Sequence, residues 1–455
     1  MMMGRMLLLP EVVVNITRTE QVSLPYLDHA AWWATLDNGH QIFVVPKPGE
    51  VVHLHTVVRT GSVNETDENT GISHFLEHLM FKGTARFPVG AFDRILEGIG
   101  ARINASTSRD WTQYFVTLPR GPHGQDYRRA LDLHADMLLH AALPDEEIGP
   151  PFDPAELPAE KRERAVVIEE IKMGRDNPWR QAIQCLTEAL YPHHPYRREV
   201  IGTAEVIAAI PRDVIADYYH TWYQPSNMVT IVTGELDPEA TIGDVAHHFQ
   251  FTQQTPVRHP VFPREYPREQ PCVTHLTMPL NVAYVVLGFL GPPSRDLRAS
   301  IGLDVLSLTL GEGLSSRLHQ HLVEQLPDTP FFDVGSTHWA YRDSSNVLGY
   351  GVVRPDAAEQ AFTLLRDEID ALQRTPPLPE EIDKAVTRLE AQFAAQAETA
   401  SGLSVVIADS MARLNDPSNY TDYLSILHSL TRDDLAAYAA QYLPIAHLCA
   451  VTIAP

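Results

Sequence analysis

The sequence predicts an α+β fold of two tandem homologous domains, each a largely antiparallel sheet packed with helices. Three observations lead there. Short β-rich runs come in hairpin-like pairs and long helical patterns come grouped, as expected of helices layered on a sheet. The segment Ile210-Pro211-Arg212-Asp213 through Tyr218 recurs as Leu430-Thr431-Arg432-Asp433 through Tyr438 at a constant offset of 220, which Trp222 and Tyr442 also keep. Each copy precedes an apolar strand, so one large unit is used twice. Between the copies, the prolines and charges of residues 251–270 suit an extended connector. The domains are therefore expected at 1–250 and 271–455, with 251–270 as the linker.

The elements follow from pattern. Residues 41–47 and 51–59 are apolar, β-branched runs and read as strands. A short amphipathic helix surrounds His74, and residues 91–99 form another. Residues 101–108 and 112–118 read as paired strands about a turn at 108–111, and helical patterns then occupy 127–142 and 155–173. The second half opens with a strand at 284–289, followed by helices at 297–310, 357–374 and 379–398.

Most of the chemistry is concentrated in His74-Phe75-Leu76-Glu77-His78. On a helix advancing about 100° per residue, His74, Glu77 and His78 fall within roughly one third of the circumference. Ile72, Phe75, Leu76 and Leu79 take the other side, so a buried face carries a polar one. Two imidazoles four residues apart can hold a zinc ion, and the H-x-x-E-H order leaves Glu77 beside the metal. Carboxylates further on offer a third ligand. Helical periodicity puts Glu163, Val166, Val167, Glu170 and Gly174 on one face, with Glu169 opposite among Lys161, Arg162 and Lys172. A buried carboxylate needs a hydrogen bond, an ion pair or a metal. On this ground alone, pairing of Glu163 and Glu170 with buried Arg or His stays open.

Together these residues resemble the inverzincin metallopeptidases of the pitrilysin and mitochondrial processing peptidase family. The resemblance rests on Gly71 through Thr84, Leu96 through Thr107 and Glu163 through Glu170, and is similar to the half-size bacterial branch. It implies a zinc metalloendopeptidase with one Zn2+ per chain. His74, His78 and Glu170 would bind the metal, Glu77 would be the catalytic base and Glu163 would support the site. Asn104, Ala105 and Ser106 would be the edge along which a peptide substrate adds as an extra strand. The first domain would carry metal and catalysis, the second no metal, and two such chains would close around a chamber. His78 and Glu170 lie 92 positions apart, longer than the family usually shows, and the proline-rich run 143–154 reads as an insertion.

One departure bears on partners. Active members carry an Arg and a Tyr in the second half, beyond the helix after a Gly-rich loop. Here that loop spans 311–318, yet residues 322–334 contain neither, and Phe332 stands about where the phenol is expected. Tyr341 and Arg342 match a different, turn-like part of the pattern. The chain is therefore expected to be the zinc-bearing subunit of a heterodimer whose related partner lacks zinc and supplies the Arg and Tyr. A homodimer is the alternative. A zinc-bound but non-catalytic assembly subunit and a zinc hydrolase of non-peptide substrates are the other readings.

Composition sets outer bounds. With 455 residues and 44% hydrophobic content the chain can fill the cores of two domains, and its net charge of −23 argues against a nucleic-acid partner. No apolar run approaches a membrane span. Cys185, Cys272 and Cys449 are odd in number, widely spaced and expected to be buried thiols. Residues 1–10 hold an apolar run too short for a signal peptide and read as a truncated or replaced leader. With exported relatives in the half-size branch, that points to the bacterial periplasm over the cytoplasm. His53 with His55, and His193 with His194, read as structural, since neither pair has a matching ligand set nearby. The Gly-rich loop lacks the G-K-[ST] of a phosphate cradle.

Overall fold

A computed structural model describes residues 15–156, 158, 162–251 and 255–455. The leader reading at 1–10, Lys161 and residues 252–254 of the connector lie outside the described residues. The first sheet comprises β1 (Ile16–Val22), β2 (Ala31–Leu36), β3 (Gln41–Pro46), β4 (Val51–Val58), β5 (Arg102–Thr107), β6 (Thr112–Pro119) and β7 (Met228–Gly234). The second comprises β8 (Cys272–Thr277), β9 (Ala283–Gly291), β10 (Phe331–Ala340), β11 (Ser345–Val353) and β12 (Cys449–Ala454). Their orders are β1-β2-β3-β7-β4-β6-β5 and β10-β11-β9-β12-β8.

Each sheet is antiparallel except for one pairing, β3 with β7 in the first and β8 with β12 in the second. The expected α+β fold with largely antiparallel sheets is therefore present twice. Read from the strand beside that parallel pair, β3-β7-β4-β6-β5 repeats as β8-β12-β9-β11-β10. The duplicated segments, helices Arg212–Trp222 and Arg432–Tyr442, lead into β7 and β12, which occupy the same place in each sheet. Strands β1 and β2 extend the first sheet only.

Several elements differ from the sequence expectation. β1 shows almost no buried positions and β8 alternates half-buried with exposed residues, so neither presents an apolar run. β10 and β11 carry polar residues and glycines where a strand pattern would need hydrophobics. The helix expected from 155 begins at Glu163, and residues 155, 156, 158 and 162 are not helical. Of the three cysteines, Cys449 alone is buried, while Cys185 and Cys272 are half-buried.

Each sheet packs its own helices on one face and a helix from the other half on the opposite face. Leu403, Ile407 and Met411 of helix Ala400–Leu414 cover Phe43, Val57, Val229 and Ile231 of the first sheet. Ala182, Leu186 and Leu190 of helix Pro178–Leu190 cover Val286, Val451 and Ile453 of the second. The exchange is reciprocal. Because both faces are covered, β7 is buried at every position, Thr230 and Thr233 included. Full burial of each such aliphatic side chain contributes about 1.5–3 kcal/mol, so the exchanged helices bind the halves together.

Candidate metal centre

Helix Ile72–Met80 buries Ile72, Phe75, Leu76 and Leu79 completely, as its pattern requires. Its start is unusual. Gly71 has φ +88°, and a Cβ there would meet Ile201 O at 2.5 Å, so backbone approach and left-handed conformation both demand glycine. No N-cap side chain closes the first turn. Buried Glu65 does so instead, its Oε2 accepting from Gly71 N at 2.7 Å and its Oε1 from Ser73 N at 2.9 Å. A carboxylate suits the positive end of a helix. Burial nevertheless pushes Glu65 up to about 7, against the bonds from Ser73 and Gly71. Tyr218 Oη bonds Ser73 Oγ at 2.7 Å and Thr60 Oγ1 at 2.8 Å, tying the turn to the segment that follows β4.

The second contributing helix is Glu163–Arg175. Its Arg164 is wholly buried, an outcome that periodicity alone gave no hint of. The guanidinium donates to Ile207 O, to Ile210 O at 2.9 Å and to Gly149 O at 3.2 Å, and lies 5.5 Å from the Phe75 ring centroid. Arg164 thus joins the two helices to the proline-rich run. That run further supplies Glu147, 3.8 Å from Lys82 Nζ, and Pro154 O, which accepts from Lys172 Nζ at 2.7 Å.

His74, His78 and Glu170 come together between these helices. His74 Nε2 and His78 Nε2 stand 3.8 and 3.6 Å from Glu170 Oε2. One ligand atom from each of the three lies within 4.8 Å of the others, the one such group among the described residues. Donors bound tetrahedrally to zinc at about 2.0–2.1 Å stand roughly 3.3–3.5 Å apart, so two imidazoles and a carboxylate oxygen fit that ion in both type and spacing. Glu170 is 42% exposed, more open than a shared apolar face with Glu163 suggested. The face of this helix that enters the core carries Arg164, Val167, Ile168 and Ile171 instead.

Electrostatics prepares the two imidazoles differently. Burial, then His78 and Arg180, push His74 down to about 3, leaving it neutral as a ligand must be. For His78 burial acts downward, but the Glu163 hydrogen bond and the charges of Glu170, Glu163 and Glu77 prevail and raise it above the ordinary value. His78 Nδ1 lies 3.1 Å from Glu163 Oε2. Glu163 Oε1 in turn meets Lys82 Nζ at 2.6 Å. Burial would raise Glu163, yet the hydrogen bonds from His78 and Lys82 hold it below the usual carboxylate range. Glu163 therefore orients His78 with Nε2 toward Glu170, while Lys82 keeps Glu163 ionised.

Glu77 sits beside the group, 9% exposed, and Thr107 Oγ1 donates to its Oε2. Burial raises its pKa, opposed by that bond and by His78. Thr107 ends β5, the edge strand of the first sheet. Asn104, Ala105 and Ser106 pair with Phe115, Tyr114 and Gln113 of β6 on one side and, among the described residues, have no strand on the other. Ala105 N–H donates to Asn104 Oδ1 at 2.9 Å. His74, Thr107, Glu170 and Arg180 line a cleft of about 520 Å³.

Sequence reasoning missed Glu65, Lys82, Thr107, Arg164 and Arg180. The family motif spans Lys82 without marking a role for it, the substrate-edge reading takes in Thr107 without its bond to Glu77, and the contacts of Arg164 and Arg180 join segments remote in sequence. Of the other histidines singled out above, His53 Nδ1 bonds Thr117 Oγ1 at 2.8 Å, His55 Nε2 bonds Gln113 Oε1 at 2.9 Å, and His194 packs 4.2 Å from the Tyr196 ring. Phe332, at the start of β10, is 65% exposed. Tyr341 is buried with its hydroxyl 3.4 Å from Arg109 Nη1, and Arg342 pairs with Asp343 at 2.8 Å.

Fold and site define a two-half α+β protein with a candidate zinc centre of the inverted H-x-x-E-H type. The chain belongs to the insulinase family, peptidase family M16: the family's insulinase domain matches residues 43–204, and its inactive domain matches residues 209–389. Among curated relatives it is similar to the zinc protease PqqE of Helicobacter pylori, 28% identical over 90% of this chain and 89% of that one. It is also similar to the uncharacterized zinc protease YmxG of Bacillus subtilis, 30% identical over 78% of this chain and 82% of that one. A solved protease structure from Helicobacter pylori, 26% identical, superposes with a TM-score of 0.83 over 97% of this chain and all 100% of that one. The first half of the periplasmic protease PqqL of Escherichia coli, 22% identical, shares the fold with a TM-score of 0.73 over 93% and 92%. Among the described residues, no helix is long and apolar enough to cross a membrane.

Proposed function

We propose that this chain is a zinc-dependent metalloendopeptidase with one Zn2+ held by His74, His78 and Glu170 and with Glu77 as its general base. The observation that carries this is the convergence of those three donors with Glu77 adjacent but outside the set. Zinc bound there would supply a Lewis acid and a water of lowered pKa. Glu77 would take a proton from the attacking water at a carboxylate oxygen and hand it to the leaving amine. Its burial favours that protonated stage, while Thr107 holds the carboxylate in place. The open edge of β5 at Asn104, Ala105 and Ser106 would take a peptide as an added strand, with Asn104 Oδ1 releasing Ala105 N–H for it. Glu77→Gln tests the assignment: it should keep zinc and lose roughly 10²-fold or more in peptide turnover. Retained turnover, or loss of the metal, would remove Glu77 from this role.

The finer reading is a catalytic subunit of a heterodimer that encloses peptides or unfolded segments in a chamber. Its support is the absence of Arg and Tyr from 322–334, the exposed Phe332 in the phenol's expected place, and the engagement of Tyr341 and Arg342 in contacts of their own. Losing one preorganised donor to a developing oxyanion costs roughly 10² to 10³ in rate, so the chain alone should bind zinc and cleave peptides poorly. A related non-zinc subunit should restore cleavage. Full activity of the purified chain would favour the homodimer instead. The periplasm is the compartment we propose, on the likeness to exported half-size bacterial members, and cell fractionation tests it.

A further inference from the structure

A second cavity, sharing no lining residue with the zinc cleft, lies where the end of β4, the connector and the second half meet. It encloses about 520 Å³. Arg59, Arg264, Arg295, Arg342 and Arg413 line it, and among its described lining residues Asp343 is the one carboxylate. In a chain of net charge −23 such a concentration of guanidinium groups stands apart from the general surface. Apolar wall is supplied by Phe262, Pro293 and Leu414.

The charges are only partly met from within. Arg342 pairs with Asp343 at 2.8 Å, and Arg413 pairs with Asp409 and donates to Ala340 O at 2.9 Å and Ser294 Oγ at 3.3 Å. The Arg59 guanidinium makes a single hydrogen bond, from Nη2 to Ser226 O at 2.5 Å, and burial pushes it down to about 10. Arg264 lies 5.7 Å from the Tyr266 ring centroid. Arg59, Arg264 and Arg295 have no carboxylate in ion-pair range among the described residues. The Nε donors of Arg59 and Arg413 are buried with no acceptor. Buried donors are ordinarily satisfied, and charged ones most of all.

We propose that this cavity binds a small, multiply charged oxyanion, bearing phosphate or carboxylate groups, through Arg59, Arg264, Arg295, Arg342 and Arg413. Planar guanidinium forks match both groups with paired hydrogen bonds. The anion would supply the missing acceptors and bridge β4, the connector and helix Ala400–Leu414, so its binding would stabilise the association of the two halves by linkage.

Calorimetric titration of the full-length chain with inorganic phosphate and, separately, with tricarballylate tests this, and the tighter probe identifies the class. Saturable binding with a Kd below about 1 mM is expected for at least one probe. His74→Ala should bind equally well. The double variant Arg264→Gln, Arg295→Gln alters two exposed side chains, so it should melt at the wild-type temperature without probe and bind at least about tenfold more weakly. Arg59→Gln should weaken binding likewise; should it fail to fold, the double variant decides. The proposal is overturned by no saturable binding up to about 10 mM. It is equally overturned by wild-type affinity in the double variant, or by binding lost in His74→Ala, which would assign the anion to the zinc cleft.

Discussion

Thr107, the last residue of edge strand β5, donates its hydroxyl hydrogen bond to Oε2 of Glu77, joining the proposed substrate strand directly to the proposed base. The bond favours the ionised carboxylate while burial opposes it. Thr107→Val should therefore raise the Glu77 pKa further. The rising acid limb of the kcat/KM profile should move to higher pH, with zinc retained and turnover near neutrality reduced about tenfold. An unmoved limb would show that the bond does not tune the base.

Removing the support of His78 should cost metal. Glu163→Gln is expected to weaken zinc binding about 10- to 100-fold, whereas Glu170→Gln, which removes a donor, should bind no stoichiometric zinc. Glu169→Gln should bind normally. Zinc found in Glu170→Gln but absent from Glu169→Gln, by elemental analysis, would reverse the assignment on this helix.

Each titrating group gives the pH dependence a definite sign. His78 is raised above its ordinary value, so the stability it lends the metal-free fold is full at low pH and declines as pH rises through its folded pKa. Glu65, raised to about 7, acts in the same direction between its ordinary value and about 7. Zinc needs a neutral His78, so its affinity should instead rise with pH over this range. His40, His55, His74 and His134, each pushed down to about 3 by burial, act oppositely and add stability as pH rises toward their ordinary value of 6.5, so the metal-free curve carries both signs. Melting curves from pH 5 to 8 should show the zinc-induced shift growing with pH; a shift that stays constant would contradict this.

Glu65 offers a sharper contrast. Glu65→Ala leaves the N–H groups of Gly71 and Ser73 without their acceptor and should destabilise the chain by about 1–3 kcal/mol, loosening His74 as well. Glu65→Gln keeps one carbonyl acceptor but sets its amide NH2 against the other N–H, so it should fall between wild type and Glu65→Ala at pH 7. Urea unfolding read alongside zinc affinity distinguishes the two.

The exchanged helices predict interdependence. Leu186→Ala and Ile407→Ala should each cost about 2–5 kcal/mol, because each removes a fully buried side chain that seals the other half's sheet. A fragment ending at residue 250 leaves Phe43, Val57, Val229 and Ile231 uncovered and should bind a hydrophobic dye. A monomeric, cooperatively melting fragment would show that the first half needs no cover.

Local pattern alone determined much of this protein. The spacing of His74, Glu77 and His78 placed a helix with one apolar and one polar face, the 220-residue offset announced a fold used twice, and the apolar stretch after the first copy marked the strand β7. Those signals are legible because periodicity records which face is buried. Tertiary structure decided what lies beyond a single segment's reach. β1 and β8 are edge strands held by backbone bonds, so their side chains carry little hydrophobic signature. Arg164 is buried because three carbonyls from two separate stretches converge on it, and Glu65 caps a helix from outside it. The exchange of helices Pro178–Leu190 and Ala400–Leu414 was likewise invisible, since an apolar stripe states that it will be buried and not against which sheet.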